Sequence, residues 1–238
     1  LEIDEFTSLS TFVDEHKTEF LNLYYSKISV DDFICKYNSF FSSLAQDYNK
    51  VFFNELNKNL TSKILRSEKL EKKNGSIPDN DRLNNMEAAI KSAYYMYIRY
   101  LQNHSFELSN GRQAAVFFFI REYCYSSMFR YNGKGEFNVP YGGISYNRKD
   151  FQKKVDYLLS DQMTAKLRNA DIYCEDFEDF INKLSLTEDD YIFLDPPYDT
   201  EFSTYAQNKF GQEDQKRLCE CLKNTPAKIL LIIKNTDF

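Results

Sequence analysis

Four consecutive residues, Asp195-Pro196-Pro197-Tyr198, follow the apolar run Ile192-Phe193-Leu194. They offer a carboxylate, a stiff turn and an aromatic ring. Proline fixes φ and has no N–H, so carbonyls beside the pair are open to accept hydrogen bonds from elsewhere. Such a group suits a planar aromatic amine. The lone pair of that nitrogen is delocalised into its ring. It becomes a nucleophile only when acceptors hold both N–H bonds and let the nitrogen pyramidalise, and a carboxylate beside a backbone carbonyl supplies those acceptors. Tyr198 can stack on the ring. An amine on a base inside a duplex must first be swung out. The alternative is a turn that merely ends a strand.

The surrounding pattern predicts what positions these residues. From Arg148 onward helix and strand alternate: helices over 150–160, 176–184 and 212–222, strands over 171–174, 191–194 and 228–233. That order predicts a mostly parallel sheet flanked by helices, and ligands in such sheets lie outside the carboxyl ends of strands, where Asp195 stands. The first hundred residues read as helices over 12–25, 30–56 and 85–101, with Met86, Ile90, Ala93, Tyr97 and Leu101 at helical spacing. The stretch 63–84 reads as a surface loop. Its basic residues Lys63, Arg66, Lys69, Lys72 and Lys73 could touch DNA, although a solvated charged face is the preferred reading. Residues 113–129 read as a buried helix. Gly133, Gly135, Gly142, Gly143 and Pro140 then make 132–147 a loop of unusual backbone geometry.

Composition narrows the class. The 238 residues carry a formal charge of -6, which argues against non-specific coating of nucleic acid. Between Arg121 and Lys154, however, seven basic residues face three acidic ones, so this segment can meet a polyanion. The 21 Phe and 18 Tyr, with no Trp, read as core packing. Five cysteines at scattered positions read as reduced and mostly buried, which predicts a cytoplasmic protein. No apolar run is long enough to span a membrane. His16 and His104 are isolated, so no metal is expected. The chain opens at Leu1 without a methionine and closes soon after the apolar run Ile229-Leu230-Leu231-Ile232-Ile233, which reads as a buried strand wanting a partner. The expectation is the larger part of a longer protein.

A second block sharpens the reading. The run Phe129-Arg130-Tyr131-Asn132-Gly133-Lys134-Gly135-Glu136-Phe137-Asn138-Val139-Pro140-Tyr141-Gly142 resembles the Arg-x-Asn-x-x-Gly-x-Phe-Asn-Val-Pro-Phe/Tyr-Gly signature of Dam-type DNA adenine methyltransferases. Asp195-Pro196-Pro197-Tyr198 is similar to their catalytic motif, in the right order. The resemblance covers about half the chain, from Gln113 to the end. It implies a Rossmann-like α/β fold that uses S-adenosylmethionine, interrupted by a helical target-recognition insertion. Residues 1–20 would be a remnant of the cofactor-binding part, 21–147 the DNA-recognition insertion and 148–238 the catalytic α/β domain.

The resemblance also implies roles. Arg130, Asn132 and Lys134 would lie on the DNA side, and Asn138, Pro140 and Tyr141 would shape the loop that approaches the flipped adenine or supports the active site. Asp195, Pro196, Pro197 and Tyr198 would be catalytic. Asp176 and Phe177 would hold the cofactor's adenine, Asp176 being equally readable as a helix N-cap, and Asp195 would also line the cofactor site. Asp4 or Glu2 would take the ribose hydroxyls, with ordinary charge near a helix start as the alternative. Phe202, Ser203 and Tyr205 would close over the base. The family's Phe-x-Gly-x-Gly turn and its Lys-Trp-x-Gly-Gly-Lys element are missing. Where relatives reading GATC carry an Arg or a Tyr-Lys pair after Gly142, this chain has Gly143-Ile144-Ser145-Tyr146. The expected activity is methyl transfer to adenine N6 in double-stranded DNA, with a cognate restriction endonuclease as an expected partner. Cytosine N4, RNA or a protein amide are the rival substrates, and a protein that only binds DNA or a second subunit is the rival class.

Overall fold

The computed structural model describes residues 2–45, 47–197 and 210–233; Tyr198, Phe202, Ser203 and Tyr205 lie outside them. The chain divides into two compact units, Leu1–Tyr157 and Leu158–Phe238.

The first unit is built from α1 (Glu2–Glu15), α2 (Lys17–Tyr24), α3 (Val30–Lys36), α4 (Asn38–Leu44), α5 (Asn49–Asn74), α6 (Asp79–Asn103) and α7 (Asn110–Tyr123), with α8 (Gln152–Leu158) at its boundary. Helix α6 is central. It touches α1, α2, α5 and α7, burying Met86, Ile90, Ala93, Tyr97 and Leu101 as their spacing predicts. Many of the aromatic residues do form the core, where Phe6 meets Phe119 edge-on with centroids 5.2 Å apart, a favoured arrangement of ring quadrupoles, whereas others such as Phe106 and Tyr125 are exposed.

Several expected boundaries moved. The helix expected over 12–25 breaks at His16, and the one over 30–56 breaks twice, into α3, α4 and the start of α5, with Tyr48 at φ 53. In one straight helix Phe33 and Phe41 would stand about 12 Å apart along the axis. Folded back, their rings come to 6.3 Å and Phe41 meets Phe52 at 6.3 Å, so burial of three rings outweighs helix continuity. The expected loop over 63–84 is mostly helix. Its Lys, Glu, Arg and Leu residues are good helix formers, Ile64 and Ser67 are buried, and α5 stops only at Gly75, whose φ of 92 suits a residue without Cβ. The helix expected over 113–129 ends at Tyr123, after which Ser126 and Ser127 adopt positive φ.

The second unit holds α9 (Asp161–Arg168), α10 (Phe177–Lys183), β1 (Tyr191–Leu194), α11 (Gln212–Lys223) and β2 (Lys228–Leu231). The strands pair in parallel, with Tyr191 opposite Lys228 and Leu194 opposite Leu231. The expected strand over 171–174 is absent. Its residues are exposed and no described strand takes its backbone groups, without which an extended segment has nothing to hold it. Helix α9 was not anticipated. Strand β2 is paired but not buried, since Ile229 is 40% and Leu230 45% exposed; Leu218 and Ala227 are the buried apolar residues among the described part of this unit. All five cysteines are free, as expected, but Cys35, Cys174 and Cys219 are exposed and Cys124 is the one in the core. The architecture is thus mostly helical with a small parallel sheet.

Candidate functional site

In the second unit the parallel pair ends at Leu194, whose carbonyl accepts from Ile232 N at 2.9 Å. The next residue is Asp195, at the carboxyl end of β1. It is exposed and makes no ion pair among the described residues. Gln215 of α11 donates to the Pro197 carbonyl at 2.9 Å, fixing the turn from behind, whereas the Pro196 carbonyl accepts no such bond among the described residues. Among the described residues a carboxylate and an adjacent carbonyl therefore stand uncommitted after the strand end, the kind of acceptor pair an aromatic amine needs.

Asp176 caps α10, its carboxylate accepting from Glu178 N at 3.0 Å. The same oxygen accepts from the Arg217 guanidinium at 2.8 Å. Desolvation pushes its pKa up, but these donors prevail and hold it below the usual carboxylate range. Arg217 also pairs with Glu178 at 2.8 Å and Asp214 at 3.0 Å, and its guanidinium lies 4.9 Å from the centroid of Phe177. Phe210 meets Phe177 from 5.8 Å. Asp176 and Phe177 thus already receive a flat, delocalised group with N–H donors. An adenine ring would use the same carboxylate and the same ring face, so these residues fit such a ligand. Arg217 went unnoticed in the sequence, where forty residues separate it from Phe177 and no motif contains it.

In the first unit the signature block folds into a short antiparallel turn, with Tyr131 bridged to Phe137 and Cys124 to Tyr141. Asn132 closes it: its side-chain oxygen accepts from Lys134 N at 2.9 Å and Glu136 N at 3.0 Å, and its amide donates to Glu136 at 2.7 Å. Arg130 donates to Asn138 at 3.1 Å. Arg130, Lys134 and Pro140 are exposed, while Asn132 and Asn138 are half-buried. Tyr141 is buried and bonds Asn147 at 3.2 Å, supporting the loop from beneath. Tyr95 donates to the Val139 carbonyl at 2.9 Å, anchoring the segment just before Pro140. A Cβ on Gly142 would stand 2.4 Å from the ring of Tyr146, so close approach demands glycine there.

Part of the local positive charge is used internally. Lys149 and Lys154 pair with buried Glu122 at 2.8 and 2.6 Å, and Arg148 pairs with Asp14 at 3.0 Å and Glu87 at 3.2 Å. Burial raises the Glu122 pKa, but the two lysines outweigh it and hold the carboxyl below its ordinary value. Arg121, Arg130, Lys134 and Lys153 have no ion-pair partner among the described residues and face solvent. Asp4 is exposed on α1. Among the described residues no helix is long and apolar enough to cross a membrane, and no cluster of three or more His, Cys, Asp or Glu could hold a metal.

Comparison with known proteins bears on this geometry. The model of a family described as D12 class N6 adenine-specific DNA methyltransferase matches residues 37–238. The Type II methyltransferase M.CviBI of Paramecium bursaria Chlorella virus NC1A is 35% identical over 126 residues, 52% of this chain and 45% of that protein. The Retron Ec67 DNA adenine methylase of Escherichia coli is 30% identical over 63% of this chain and 50% of its own length. The Type II methyltransferase M.MjaIII of Methanocaldococcus jannaschii is 28% identical over 81% of this chain and 68% of its own. The chain spans about half the length of the first two of these relatives.

Proposed function

The chain belongs to the D12 class of N6 adenine-specific DNA methyltransferases, and from that premise we propose that it transfers a methyl group from S-adenosylmethionine to the N6 amino group of an adenine flipped out of duplex DNA. The observation that carries this reading is the exposed carboxylate of Asp195 at the carboxyl end of β1, beside the Pro196 carbonyl, neither of them partnered among the described residues.

S-adenosylmethionine, when bound, supplies an electrophilic methyl on a sulfonium. The protein's part is orientation. Asp195 and the Pro196 carbonyl accept the two N–H bonds of the adenine amine and direct its lone pair out of the ring plane. Charge that builds on N6 strengthens the hydrogen bond to Asp195, whose carboxylate can take the proton. Pro197 keeps the turn rigid, and Tyr198 stacks on the base. Asp176 and Phe177 hold the cofactor's adenine, Asp195 borders the same site, and Asp4 takes the ribose hydroxyls. Arg130, Asn132 and Lys134 meet the DNA, with Asn138, Pro140 and Tyr141 shaping the adjoining loop.

Residues 148–238 are read as part of a Rossmann-like catalytic domain, 21–147 as the helical recognition insertion and 1–20 as a remnant of the cofactor-binding part. A cytoplasmic location accords with five free cysteines. A cognate restriction endonuclease as partner rests on the Type II names of two relatives.

The test is incubation of the protein with radiolabelled S-adenosylmethionine and duplex DNA. Label recovered as N6-methyladenine supports the reading. No label in adenine from folded protein overturns it, label in cytosine or RNA moves the substrate, and cofactor titration without heat leaves a binding protein.

A further inference from the structure

Helix α5 carries Asn59, Lys63, Arg66 and Leu70 at spacings of four, three and four residues, one stripe along its surface. Lys63 and Arg66 from this stripe line a cavity of about 410 Å³ whose opposite wall is Pro140, Tyr141 and Gly143, the closing residues of the signature loop. A second cavity of about 360 Å³, reaching Ile144, shares the same two cations. We propose that Lys63 and Arg66, with the 140–143 end of the loop, seat a backbone phosphate of the DNA duplex. The proposal rests on the reading of this chain as a DNA methyltransferase and adds the anchor that registers the duplex against the loop.

Two adjacent cations ordinarily find acids. Here the 410 Å³ cavity meets no acidic residue among those described. The adjoining one meets Asp81 and Glu71, and Glu71 is committed to Arg82 at 3.1 Å and to Tyr24 at 2.8 Å. Neither Lys63 nor Arg66 has an ion-pair partner among the described residues. Lys63 is half-buried, and desolvation, with Arg66 beside it, depresses its pKa. The opposite charge of an anion in the cavity would offset both penalties.

Helix chemistry does not account for the pair. Lys72 and Lys73 lie in the last turn of α5, where the helix dipole favours positive charge. Lys63 and Arg66 lie outside that last turn, beyond that effect. Gly143 provides no side chain at this end of the loop, so the positive charge there comes from α5. A fork and an ammonium converging on one cleft suit a phosphodiester, and phosphate contacts fix register without reading sequence.

The experiment measures binding of a fluorescent duplex across a salt series, using one duplex that the wild type methylates and one that it does not. K63Q/R66Q should bind both roughly 10-fold more weakly at moderate salt, with a log–log salt slope shallower by about 1. K63R/R66K should keep the wild-type slope. S92E, which puts negative charge on the α6 wall of the same cavity, should reproduce the loss. An unchanged slope in folded K63Q/R66Q overturns the proposal, as does a loss confined to the methylated duplex, which would mark a base contact. A wild type that methylates no DNA brings down the functional reading, and the phosphate seat with it; a wild type that methylates normally beside an unaffected double variant brings down the seat alone.

Discussion

The Arg217 guanidinium lies over the ring of Phe177, 4.9 Å from its centroid, while donating to Asp176 at 2.8 Å. Arg217 thus makes with these two residues the contacts proposed for the cofactor's adenine. R217M retains an apolar stem and removes the competing donors. Titration calorimetry with S-adenosylmethionine should show severalfold tighter binding, in line with the loss of a cation–π contact of about 0.5–1 kcal/mol. Weaker binding by a fully folded variant would make Arg217 an organiser of the site instead of a competitor for it.

Asp195 is exposed, so its replacement should leave the fold intact. D195A should lower single-turnover methyl transfer by about 100-fold or more, the cost of deleting one aligned electrostatic partner of a reacting centre, while affinity for duplex DNA stays unchanged. Rapid-quench measurement of N6-methyladenine checks this, and a variant turning over at the wild-type rate would remove Asp195 from the chemistry.

Gly142 stands where any Cβ would press into the ring of Tyr146 at 2.4 Å. G142A should therefore destabilise the first unit by roughly 1–3 kcal/mol, the usual cost of overpacking, seen as a lower urea midpoint. G142A/Y146A should recover part of that loss. If the double variant is simply the sum of two separate losses, the contact is not what requires glycine.

Lys91 is buried beneath Phe6, whose ring centroid is 4.5 Å from its ammonium. It pairs with Glu87 at 3.3 Å and donates to the Asn147 carbonyl, with Arg148 also facing Glu87 at 3.2 Å. Desolvation outweighs the attraction of Glu87 and brings its pKa down to about 8 from 10.5. Between those values the unfolded chain binds more protons than the native one, so stability rises with pH there, by at most about 1.4 kcal/mol per unit. Below 8 both states are protonated and the burial penalty is constant. Measured against K91M, which cancels the ionisation of the tyrosines, the wild type should gain stability from pH 8 to 10. A flat difference would show that Lys91 titrates normally.

Much of this protein was legible from local pattern. The period of α6, the paired strands β1 and β2, the aromatic core, and the two motifs that identify the family all follow from residue order, because helix period, strand alternation and turn chemistry are properties of neighbours in the chain. What sequence alone misplaced depends on residues far apart. The two breaks that bring Phe33, Phe41 and Phe52 together arise because rings buried together outweigh the continuity of one helix. The segment 171–174 stays irregular because a strand exists only where another takes its hydrogen bonds. Arg217 reached Phe177, and Lys63 and Arg66 reached Pro140 and Gly143, only through tertiary packing. Whether a basic residue is a solvated charge or the wall of a cleft depends on what the fold sets opposite it, and that partner lies outside any local window of sequence.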